Sequence, residues 1–125
     1  MTREERARIA KAIEIAESGT TGRIAVRVIP DKSVDAFERA KYEFGRTGLH
    51  RHAQENAALV LVAPKARQYA ILGDRALHER VGDGFWRAIV DEVQPTFAGG
   101  DVTGAIVLAV ERIGDALHRH FADAS

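Results

Sequence analysis

The chain has 125 residues, 46% of them apolar, with 18 Lys plus Arg balanced by 18 Asp plus Glu. That size and apolar content suit one core, so a single domain over 1–125 is expected. Zero net charge leaves no electrostatic footprint for nucleic acid. The absence of cysteine excludes disulfide scaffolds, thiolate metal sites and thiol nucleophiles.

The start, Met1-Thr2-Arg3-Glu4-Glu5-Arg6, is densely charged and leads into no apolar signal core. No stretch reaches the length of a bilayer span, so direct membrane insertion is not expected and a cytoplasmic location is. Thr2 and Glu5 have capping-box spacing, and Ile9, Ile13 and Ala16 recur at helical intervals up to Ser18-Gly19, which predicts a first helix. Gly22 to Pro30 reads as a β-branched strand closed by proline. Ser33 is placed to cap a second helix carrying Val34, Phe37, Ala40, Tyr42 and Phe44, which ends near Gly45 to Gly48.

After a polar loop, Ala57 to Ala63 is apolar at every position, as in a strand covered on both faces. The intervening helix supplies a crossover, so the first two strands are expected to be parallel. Pro64 to Arg67 is too short for another crossover, and Gln68 to Leu72 should return antiparallel. A short helix to Val81, a break at Gly82-Asp83-Gly84, an amphipathic helix before Pro95 and a last helix with Ile106, Val110, Ile113, Leu117 and Phe121 on one stripe complete the chain. The fold class is α/β: a small sheet, a parallel pair plus an antiparallel hairpin strand, sandwiched between helices.

The backward run of the third strand brings its end, Gly73-Asp74, beside the starts of the first two. Thr20, Thr21, Asn56 and Asp74 should therefore meet at one edge, with Glu17 and Glu55 near enough to join them. Such oxygen donors suit calcium or magnesium. Ordinary turn chemistry offers another reading, in which Asp74 caps the next helix, Asn56 satisfies backbone groups and the threonines close a loop.

The order Glu17, Thr20-Thr21-Gly22 before a β-branched strand, Asn56 opening an apolar strand, and Gly73-Asp74 after the hairpin resembles the TPM domain family. Trp86 and the Phe97 to Gly104 segment extend the likeness over almost the whole chain, which looks like a stand-alone bacterial member. The resemblance implies an α/β fold, divalent-metal binding and weak phosphatase activity, and for some relatives roles in photosystem maintenance or receptor modulation. Carried over by position, the implied metal residues are Asp74, Glu17, Asn56 and Asp83. The chain departs from the family's pattern at Arg23, where an acidic residue is common, and at Glu55, where a basic one is.

Other candidates have plainer explanations beside the functional ones. His50 and His52 are placed to offer imidazoles near Asn56, or to lie in a solvated loop. His118 and His120, two apart on a helix, fall on nearly opposite sides and suit a helix C-terminus better than a metal. Asp74 and His78 are one turn apart, with Glu79 and Asp83 nearby, as in an acid/base pair or an ordinary charged surface. Gly99 to Gly104 lacks the lysine of a P-loop and reads as a capped loop, Trp86 as a core anchor, and no G-x-S-x-G occurs.

Two functional expectations follow. In the first, a divalent cation held by Asp74, Asn56 and Glu17 assists phosphomonoester hydrolysis, with Asp74, Asn56 and Arg51 as the catalytic set and no organic cofactor. In the second, the chain is a non-catalytic module that binds a protein partner of membrane-associated type.

Overall fold

The seven residues of strand β2, Ala57–Ala63, are all buried, and every other element is arranged around them. A computed structural model describes residues 1–123; the last two residues of the expected 1–125 domain lie outside the described part. Strand β1, Arg23–Val28, pairs parallel with β2, and β3, Gln68–Gly73, pairs antiparallel on its other side, giving the order β1-β2-β3. The register sets Arg23 opposite Ala57 and Gly73 opposite Ala58. The beginnings of β1 and β2 and the end of β3 thus share one edge, as the hairpin argument requires.

Alternation along β2 divides the core. Ala58, Val60 and Val62 face a cluster with Ile9 of helix α1 (Arg3–Glu17), Ile89 and Val93 of α4 (Asp83–Ala98), and Ile106, Val110, Ile113 and Leu117 of α5 (Val102–His120). Leu59, Leu61 and Ala63 face Ala36 and Ala40 of α2 (Ala36–Arg46). Between β3 and α4 lies the short helix α3, Arg75–Val81. A sheet with apolar side chains on both faces of its central strand needs a helical layer on each side, and this chain supplies α2 to one and α1, α4 and α5 to the other.

The capping box forms in full: the Glu5 N–H donates to Thr2 Oγ1 at 3.0 Å and the Thr2 N–H to Glu5 Oε1 at 2.9 Å. The second Glu5 oxygen accepts from Thr103 Oγ1 at 2.7 Å, tying the beginnings of α1 and α5 together. Helix α2 is capped by Asp35, whose Oδ1 accepts from the Glu38 N–H at 3.1 Å, and not by Ser33. The cap falls later than expected because the strand exit is longer than Pro30-Asp31-Lys32. Helix α4 also runs past Pro95 to Ala98, since a proline on the exposed side removes one ladder bond without expelling the chain from the helix.

Candidate functional site

Two glycines let the site edge close. A Cβ on Gly22 would lie 2.4 Å from Leu117 Cδ2, and one on Gly73 would lie 2.3 Å from Trp86 Cζ2, so both backbones run directly beneath large side chains. These are the glycines of Thr20-Thr21-Gly22 and Gly73-Asp74. Their spacing in sequence records close approaches of the chain to α5 and α4.

Thr21 and Asn56 meet at the edge, where Asn56 Nδ2 donates to Thr21 Oγ1 at 2.9 Å. A ring nitrogen of His52, Nε2, lies 2.8 Å from the Thr21 carbonyl oxygen and adds an imidazole to the same wall. The Asp74 N–H donates to the Ala57 carbonyl at 2.8 Å, and the Ala76 N–H to the Glu55 carbonyl at 2.9 Å, so the start of α3 is stitched to the entry of β2. Glu55 itself takes a left-handed conformation, φ 52°, in which its carbonyl reaches α3.

Asp74 does cap α3, its Oδ1 accepting from the Arg75 N–H at 2.8 Å. Its other oxygen does not share in that task. Asp74 Oδ2 and Asn56 Oδ1 are buried without a hydrogen-bond partner, and among the described residues they are the two buried side-chain polar atoms so placed. Asn56 is 0% exposed. A buried oxygen without a donor forfeits solvation and gains nothing in return, and native structures carry few of them.

The remaining candidates take other positions. Glu17 stands near the start of β1, its Oε2 accepting from the Ile24 N–H at 2.7 Å, but no hydrogen bond joins it to Asn56 or Asp74. Thr20 closes its own turn, donating to the Glu17 carbonyl and accepting from the Gly22 N–H. The Glu55 carboxylate pairs with Arg75 and so does not turn toward Asn56. Arg51 and His50 sit on an exposed single-turn helix, Leu49–Arg51. His78 does not pair with the Asp74 side chain. Its Nδ1 accepts from Trp86 Nε1 at 3.0 Å, and its Nε2 lies 3.3 Å from Asp83 Oδ1, which draws Asp83 onto the exposed flank of α3.

His118 bridges the Gly114 and Ser18 carbonyls at 2.7 and 2.8 Å, a contact between α5 and the end of α1. Asp101 caps α5 through the Gly104 N–H at 2.8 Å, the role expected of that loop. Sequence reasoning missed a second polar cluster, on the opposite face of the sheet. Glu43 of α2 is 3% exposed and faces Arg46 at 2.7 Å, Arg39 at 3.5 Å and Arg27 of β1 at 3.6 Å. The Arg46 hydrogen bonds, foremost, and the other two guanidiniums hold its carboxyl below the usual range despite burial. The i, i+3 and i, i+4 spacing of Arg39, Glu43 and Arg46 was the available signal.

Among the described residues no group of three or more His, Cys, Asp or Glu is placed to hold a metal ion, and no helix is long and apolar enough to cross a membrane. No functionally curated protein matches the chain significantly. Among solved structures, it is similar to the BA42 protein from the psychrophilic bacterium Bizionia argentinensis, with 30% identity, a TM-score of 0.88, and coverage of 98% of this chain and 84% of that one. The N-terminal domain of the cg2496 protein from Corynebacterium glutamicum superposes with a TM-score of 0.76 at 18% identity, covering 100% of this chain and 78% of that one. An N-terminal domain from P. gingivalis gives 0.80 at 14%, covering 97% and 78%; at these identities the two show the fold alone. The family model for the TPM domain matches residues 1–116, and with that match the chain belongs to the TPM domain family.

Proposed function

We propose that the chain binds a divalent cation at the edge formed by Asn56 and Asp74, with Glu17 as an additional carboxylate, and that this site supports phosphomonoester hydrolysis. The observation that carries the reading is the pair of buried oxygens without partners, Asn56 Oδ1 and Asp74 Oδ2. An amide oxygen and a carboxylate oxygen are hard donors of the type that calcium and magnesium take. With no cluster of three acidic or imidazole groups among the described residues, amide and carbonyl oxygens would have to complete the set.

The chain's own part is to hold these donors in place. The bond from Asn56 Nδ2 to Thr21 fixes the amide plane and leaves Oδ1 as the free atom, while the cap to Arg75 does the same for Asp74 and leaves Oδ2. When bound, the cation supplies charge neutralisation and polarisation to a phosphoryl group. Arg51, exposed on its short helix, is the cation of the chain assigned to the phosphate in this reading. Asp83 stays outside the proposed set because it faces His78.

Titration with calcium, magnesium and manganese, followed by backbone chemical shifts, tests the site. Shifts grouped on residues 17–22, 50–56 and 73–84 are expected, together with slow turnover of an aryl phosphate. Asp74→Asn keeps an oxygen for the helix cap and removes the charge, so it should retain the fold and lose both responses. If it retains either, the proposal fails.

A second reading, a non-catalytic module that binds a membrane-associated protein, is favoured by two exposed aromatics on α2, Phe37 at 52% and Tyr42 at 62%. A pull-down from the native host that yields no stoichiometric partner, or one unaffected by Phe37→Ser with Tyr42→Ser, would count against it.

A further inference from the structure

A cleft of about 470 Å³ lies between the end of α3, the start of α4 and the last turns of α5. It shares no residue with the Asn56–Asp74 edge. Its apolar surface comes from Val81, Phe85 and Ala116, and its rim from Arg80, Arg119 and His120. Phe85 is held edge-on to Trp86 at 5.0 Å, which fixes the ring. The volume is in the range of roughly 300–1,000 Å³ that accommodates small ligands.

The charges in the cleft are unevenly matched. Arg112 is occupied: Glu92 at 2.8 Å matches its charge, and Asp115, the one carboxylate among the described lining residues, lies 3.4 Å from it as a second acid. Arg80 lies over the Phe121 ring at 5.8 Å, a contact that leaves its guanidinium hydrogens available to an acceptor. The side chains of Arg119 and His120 make no hydrogen bond or ion pair among the described residues. Two guanidiniums and an imidazole are thus gathered above an apolar floor, and among the described lining residues only Asp115 is set against them, which leaves the cleft with an excess of positive charge. Arginine forks match the planar oxygens of phosphates and carboxylates.

We propose that this cleft binds a small soluble anion with an apolar body, its phosphate or carboxylate head on Arg80, Arg119 and His120 and its ring or short chain on Val81, Phe85 and Ala116. The cleft stands apart from the cation site, and binding is measured in the presence of a chelator so that the two can fail separately.

Phenyl phosphate, benzoate, inorganic phosphate and phenol are titrated into the full chain and followed by amide chemical shifts. Saturable shifts gathered on residues 80–85 and 112–120 are expected for the first two, with phenol and inorganic phosphate weaker by at least about fivefold because each lacks half of the contact. Arg119→Ala and Arg80→Ala, both at exposed positions, should each weaken phenyl phosphate about tenfold with an unchanged amide spectrum elsewhere. Scattered or non-saturating shifts, equal binding of inorganic phosphate, or unaltered binding by both variants would overturn the proposal. Sedimentation with phosphatidylserine vesicles should leave the chain in solution; retention that Arg119→Ala abolishes would overturn the assignment to a soluble ligand.

Discussion

Two polar clusters flank the sheet, and they are satisfied in opposite ways. Around Glu43, three arginines converge on one buried carboxylate, both of whose oxygens have partners. At the Asn56–Asp74 edge, each side chain spends one polar atom on the protein and leaves one buried oxygen without a donor. The first arrangement is complete within the fold and explains itself as a clamp between α2 and β1. The second is incomplete within the fold, and that difference separates a structural cluster from a candidate site.

The comparison can be broken most forcefully at Glu43. Glu43→Ala strands the guanidiniums of Arg27 and Arg46, while Arg39 keeps Asp31 at 3.1 Å; the arginine side chains are 32–46% exposed and can turn to water, so the loss should fall below the roughly 3–5 kcal/mol of a fully buried broken pair, at about 2–3 kcal/mol by chemical denaturation. Asn56→Ala removes a bond to Thr21 but also removes an unpartnered oxygen. Its cost should be smaller, about 1–2 kcal/mol in the absence of divalent ions, and a loss as large as that of Glu43→Ala would place Asn56 in the structural class instead.

Acid titration sharpens the same contrast. The Glu43 carboxyl is held below its ordinary value of 4.5, so its stabilisation is fully present above that pH and is lost as pH falls through the lowered value. Glu43→Gln should flatten that limb of a melting-temperature profile. A part should remain from Glu5, whose carboxyl is lowered to about 2 by the Thr2 N–H first and by the Thr103 and Thr2 hydroxyls. The smallest effect belongs to Asp83. Its side chain is 81% exposed and among the described residues pairs with His78, so Asp83→Ala should change stability by less than about 0.5 kcal/mol and leave any cation response intact.

Much of the site's position is legible in the chain itself. The all-apolar Ala57 to Ala63 run demands cover on both faces, and the short Pro64 to Arg67 link demands a hairpin; together they carry Gly73-Asp74 to the beginnings of β1 and β2. The identity of the groups that stay together there is less legible. Glu55 and Asp83 are as acidic in sequence as Asp74, yet Arg75 and His78 take them. Which carboxylate finds a local partner depends on rotamers and on a left-handed turn at Glu55, neither of which leaves a periodic trace.

The sequence by itself determined the layers and the edge, because hydrophobic periodicity, capping pairs and loop length act locally and read in chain order. Only the tertiary structure decided which polar atoms are satisfied. The Glu43 clamp draws Arg27 from a strand 16 positions away, and Asn56 turns to Thr21 across 35. Hydrogen-bond satisfaction is settled among groups that meet in space, and the two oxygens left over at the Gly73-Asp74 edge emerge only when that accounting is complete.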